Sequence, residues 1–173
     1  MAETNTIRGD VRIIGTLALQ AISLPAGTVK NAGVASDAAI EASKLEHQFS
    51  LDFAQVPGTA VVAETRDLHI VQGTTGETLA VEAAITGVIA TGADRTVTID
   101  VHRSTAAGAF GSILTAAITL NDGSTLRQKV AATIQTSALV AGDILRVIIA
   151  VAGSAGAQAQ GLVVTTTVRE DAD

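Results

Sequence analysis

Between Gly142 and Ala152 the chain reads Gly-Asp-Ile-Leu-Arg-Val-Ile-Ile-Ala-Val-Ala. This run is too short and too interrupted for a membrane helix, and its residues are the wrong type for an amphipathic one. Ile144, Val147, Ile148, Ile149 and Val151 branch at Cβ, which fits a pleated surface better than a helix. In a strand, successive side chains point to opposite faces. Leu145, Val147, Ile149 and Val151 then share one face, and Ile144, Arg146, Ile148 and Ala150 the other. With Arg146 as its only charge, the strand is expected to be central in a closed β domain and covered on both sides.

The rest of the chain fits that requirement. From His47 onward, strand-like alternation and turn signals follow one another at regular spacing. Expected strands cover His47 to Gln55, Thr59 to Val71, Thr78 to Ala90, Arg95 to Arg103, Ser112 to Leu120, Leu126 to Gln135, the stretch already described, and Leu162 to Arg169. Pro57-Gly58, Gly73-Thr74-Thr75-Gly76, Asn121-Asp122-Gly123 and the small-residue loops Ala106 to Gly111 and Gly153 to Gly161 separate them. About eight short strands divided in this way predict an all-β sandwich or barrel, and eight is the count of a jelly roll. Such a domain, about 125 residues long, can bury roughly two-thirds of its surface.

What comes before His47 reads differently. Residues 1–35 begin with a polar stretch, Met1 to Gly9, and continue as an extended arm. Val11, Ile13 and Ile14 precede Gly15; Leu17 and Leu19, then Ile22 and Leu24, alternate with smaller or polar residues up to Pro25-Ala26-Gly27. The phase of that alternation slips near Ala21, as at a bend or bulge. Two readings stand: an edge strand of the same domain, or an arm whose apolar side chains need another chain. Residues 36–46 are expected to form a short linker helix, with Ser36 or Asp37 capping a run containing Ala38, Ala39 and Ala42. The β domain is expected over 47–169, and 170–173 as a solvated acidic tail.

Composition narrows the chemistry. The 173 residues carry 11 Lys and Arg against 17 Asp and Glu, a net charge of -6. That balance is wrong for replacing phosphate counterions, so no nucleic-acid partner is expected. Cysteine is absent, which removes disulfides and thiolate metal sites. Met1 to Asp10 has no basic segment leading into an apolar core, so no signal peptide is expected. No apolar run reaches about 18 residues, so no membrane span is expected. Apolar residues make up 47%, yet the only aromatics are Phe49, Phe53 and Phe110. The core must be aliphatic, and sugar or small-molecule sites, which favour aromatic faces, are disfavoured.

Individual residues point the same way. His47, His69 and His102 lack metal-ligand spacing. No nucleophile elbow is present. Asn121-Asp122-Gly123 lacks the rest of a calcium loop and reads as a turn. Gly108-Ala109-Phe110-Gly111 lacks the Lys and helix of a phosphate loop. Phe110, placed at an exposed loop tip, is a candidate contact residue. No enzyme and no cofactor or metal are expected.

Two stretches carry a resemblance. Ala32 to Phe49, with its Ile40-Glu41-Ala42-Ser43-Lys44-Leu45 core, is similar to a linker in tailed-bacteriophage virion structural proteins, where such a helix follows an extended arm. Asp94 to Leu120 together with Ala141 to Val151 resembles the jelly-roll domain of the same proteins, which are of capsid decoration (cement) or head-fibre type. The resemblance spans most of residues 7–168. It implies a homotrimer on the capsid surface of a virion, made in the host cytoplasm, that binds the major capsid protein or other virion proteins through the arm residues Val11, Ile13, Ile14, Leu17, Leu19, Ile22 and Leu24. The alternatives are a head or tail fibre, another virion structural protein, or a carbohydrate-binding β-sandwich module.

Overall fold

A computed structural model of the chain describes residues 47–87, 89, 94–105 and 108–171. The arm 1–35, with all seven of its candidate interface residues, and the linker helix 36–46 lie outside the described residues. Ten strands run in order: β1 (His47–Ala54), β2 (Glu64–Ile70), β3 (Thr75–Gly87), β4 (Thr96–Ser104), β5 (Phe110–Ser112), β6 (Ile118–Leu120), β7 (Val130–Ala131), β8 (Ala138–Val140), β9 (Ile144–Ala152) and β10 (Gln160–Glu170). They form two antiparallel sheets. The first has the order β1-β10-β3-β7, with β8 also on β3; the second has the order β2-β9-β4-β5, with β6 also on β4. Among the described residues no helix is long and apolar enough to cross a membrane.

The alternation read in the sequence sorts the residues between core and surface. On β9, Leu145, Val147 and Ile149 are buried. They join Val97, Ile99 and Val101 of β4, Val81, Ala83 and Ile85 of β3, and Leu162, Val164 and Val168 of β10 in one core cluster. Phe53 is the one aromatic in that buried cluster; Phe49 packs at its margin. The aliphatic core demanded by composition is thus present. Each such side chain, fully buried, contributes roughly 1.5–3 kcal/mol.

Several boundaries differ from the expected ones, for identifiable reasons. Residues 112–120 do not make one strand. Ile113 N–H still bonds Val101 of the second sheet at 2.9 Å, but Thr115 N–H bonds Thr133 at 2.9 Å, so the chain leaves its neighbour on β4 before returning as β6. The segment 126–135 holds only β7, and it opens with Arg127 at a φ of 56°, a left-handed conformation that ends extended pairing. Phe110 belongs to β5 rather than to a loop.

Coverage of β9 also differs: its outer residues Ile144, Arg146 and Ile148 are half-buried and Ala150 is exposed. This strand is core on one face and surface on the other. Glu170, assigned from the sequence to the solvated tail, is the last residue of β10 and only 6% exposed.

The Gly142-Asp143 turn that launches β9 works as its sequence suggests. Gly142 adopts a φ of 84°, which suits a residue without Cβ. The Asp143 carboxylate is fully buried. Its Oδ2 accepts the Val140 N–H at 3.0 Å and lies 3.7 Å from the Arg103 guanidinium. A charge that deep persists only with such partners.

Candidate interaction surface on the second sheet

The outer face of the second sheet gathers the most distinctive side chains. Antiparallel pairing sets Asp67 opposite Arg146, Arg146 opposite His102, and His102 opposite Ser112. One polar row therefore crosses β2, β9, β4 and β5. Arg146 is held from two sides. Its Nε donates to Asp67 Oδ1 at 2.6 Å and a terminal nitrogen to Oδ2 at 3.2 Å, a fork that fits a carboxylate. Its guanidinium carbon stands 3.6 Å from the centroid of the Phe110 ring. The hydrogen bond from Arg146 holds the Asp67 carboxyl below its usual range, and the same bond raises Arg146.

Beside this row lie apolar side chains. Ile70 pairs with Ile144, and Ile144 with Ser104, which pairs in turn with Phe110; Ile148 pairs with both Thr65 and Asp100. Ile70 is 54% exposed although it sits within a strand. The result is a patch of aliphatics, Ile70 exposed and Ile144 and Ile148 half-buried, around a cation whose charge is already matched. The outer face of the first sheet is built differently. Its residues Ser50, Ala80, Ala84, Thr165 and Thr167 are small or polar, with Val163 exposed among them. Its charges are paired among themselves: Lys129 with Glu82 at 2.6 Å and Arg169 with Glu77 at 2.9 Å.

Ser112, Asp100 and His102 come together on the candidate face, but in an order unsuited to nucleophilic catalysis. Ser112 Oγ donates to Asp100 Oδ1 at 2.7 Å, and His102 Nε2 meets Asp100 Oδ2 at 3.0 Å. The carboxylate is the centre of the group. The imidazole does not reach the hydroxyl, so it has no route to take its proton.

The other histidines sit elsewhere. His47 opens β1, opposite Glu170 in the ladder. His69 lies at the seam between the sheets, 2.5 Å from Glu170 Oε1 and edge-on to Phe49 at 5.2 Å between centroids. Glu170 Oε2 accepts the N–H groups of Gln72 at 3.0 Å and Gly73 at 2.8 Å. Burial alone would raise the Glu170 carboxyl; the bonds from Gly73, His69 and Gln72 outweigh it and hold the group below its usual range. A Cβ on Gly73 would come within 2.4 Å of the Asp171 carbonyl oxygen, so only glycine lets the turn close on Glu170. Among the described residues, no three His, Asp or Glu side chains converge to hold a metal ion. Asn121-Asp122-Gly123 forms a turn closed by the Asn121 side chain on Gly123 N–H at 3.0 Å.

Sequence reading named Phe110 and missed Arg146, Asp67, Asp100, Ser112 and Glu170 as acting groups. Arg146, the only charge in the apolar run, and the outward alternation of Asp100 with His102 were the available signals.

No family model and no curated protein matches the chain. Among solved structures, it is similar to the capsid of Ralstonia phage GP4, at 17% identity and a TM-score of 0.48, over 74% of this chain and 86% of that one. It is also similar to the structure of infectious bursal disease virus, Gx strain, at 11% identity and a TM-score of 0.36, over 88% of this chain and 38% of that one.

Proposed function

We propose that the chain is a virion structural protein of a tailed bacteriophage that works by binding alone. In this reading it is a capsid decoration, or cement, protein. It sits on the capsid surface as a homotrimer, contacts the major capsid protein and stabilises the shell. The observation that carries the reading is the apolar patch of Ile70, Ile144, Ile148 and Phe110 around the pre-paired Arg146. Such a patch suits another protein better than a small ligand, because it offers aliphatic side chains across several strands and a cation that needs no new partner. The sheet orders support a jelly roll: with β5 and β6, and β7 and β8, each counted as one broken strand, consecutive strands alternate between the sheets except where β4 pairs with the β5–β6 strand that follows it.

The arm supplies the second contact. Val11, Ile13, Ile14, Leu17, Leu19, Ile22 and Leu24 offer apolar side chains along an extended segment, and such segments add a strand to a neighbour's sheet edge. Three arms acting together raise occupancy through avidity. Replacing both Leu17 and Leu19 by Asp should abolish co-sedimentation with particles that lack the protein, while circular dichroism still reports a folded β domain. Co-sedimentation at the wild-type level would assign the anchoring to the sheet face and overturn the role of the arm.

A further inference from the structure

Among the described residues, the first sheet ends in a strand that lacks the usual protection of an edge. Among the described residues β1 is eight residues long and pairs with β10 without a register shift. It contains no Pro and no Lys, and Asp52 is its only carboxylate. The other edges are guarded. β2 is broken by a shift between Asp67 and His69 and carries Glu64, Arg66 and Asp67. β5, β6 and β8 are three residues long and β7 two. A long, flat, unguarded edge is a template for another strand.

Hydrogen-bond parity shows which groups it offers. Gln55 N–H bonds the Leu162 carbonyl at 2.9 Å, so Gln55, Phe53, Leu51 and Phe49 point their backbone groups at β10. Gln48, Ser50, Asp52 and Ala54 point theirs away from it, and all four residues are exposed.

We propose that this edge pairs with β1 of a second copy, antiparallel across a twofold axis at Leu51. One register engages all four outward residues of both copies. Gln48 of one copy then faces Ala54 of the other, and Ser50 faces Asp52. On the inner side Phe49 faces Phe53, and Leu51 faces its own twin. Aromatic and aliphatic pairs of this kind stabilise a sheet, and no like charges meet. Shifting one way sets Asp52 against Asp52, and shifting the other leaves Ala54 unpaired within the strand. The strand is thus complementary to itself, as a closed twofold contact requires. This contact is separate from the threefold association proposed above and does not depend on it.

The chain has no cysteine, so a single introduced one reports only on its own surroundings. In the full chain Leu51→Cys should form a covalent dimer under mild oxidation, because the two thiols lie directly opposite. Asp52→Cys should not, since its twin is a diagonal neighbour about 7–8 Å away. Ser50→Pro removes an outward N–H that β10 does not use. It should keep the β spectrum and halve the mass measured by light scattering. Loss of the threefold contact alone would instead leave a dimer. Failure of Leu51→Cys to cross-link better than Asp52→Cys, as when a different protein occupies the edge, overturns the proposal. So does a folded Ser50→Pro chain of unchanged mass.

Discussion

At the scale of single residues, the most consequential group is Glu170. It ties β10 of the first sheet to the end of β2 in the second through His69, Gln72 and Gly73. Its folded carboxyl lies below the unfolded value of about 4.3–4.5. Its ionised form therefore contributes stability above that value, and the contribution is lost as pH falls through the lower folded one. Glu170→Gln should cost about 1–3 kcal/mol near neutral pH, as a hydrogen-bonded charge does. Thermal melts should show the gap between wild type and variant closing below about pH 4; a gap independent of pH would contradict the account. Asp143→Ala should cost about 1–3 kcal/mol in denaturant melts, since it leaves the Val140 N–H of the turn without its acceptor.

None of these ties was legible in the sequence. Residues 69 and 170 are joined only by the packing of two sheets, and an acidic run at a chain end reads as solvated until a strand carries its first residue inside. The Gly-Asp turn was legible, because its chemistry is local.

At the scale of elements, period-two alternation decided the outcome where a strand keeps one partner along its whole length. β1, β4, β9 and β10 fall close to the expected spans for that reason. The fifth and sixth expected strands broke because the chain between Ile113 and Gln135 changes partners, bonding Val101 and then Thr133. Alternation cannot encode such a change. The apolar outer face of β9 misled differently: Ile144 and Ile148 look like core residues in sequence, yet they lie on the outer face with Arg146 between them. Leu145→Ala, on the buried face of the same strand, should cost about 2–5 kcal/mol by the usual cavity penalty. Ile148→Ala should cost far less and should weaken binding to particles instead. Equal losses of stability from the two variants would show that the outer face of β9 is packed against something within the chain.

At the scale of the whole molecule, one aliphatic core joins the two sheets of the β domain without an aromatic cluster or a disulfide. A chain lacking residues 1–35 should keep a β spectrum and a cooperative melt. An unfolded product would make the arm an integral strand. With β1 disabled by Ser50→Pro, light scattering should give a trimer, and a monomer would contradict the threefold contact. The central claim is that this protein is a stoichiometric component of a virus particle. Quantitative mass spectrometry of purified virions tests it most directly, through the copy number relative to the major capsid protein. The account predicts a constant copy number in multiples of three that is high enough to cover the shell. Absence from washed particles, or only a few copies per virion, would contradict it.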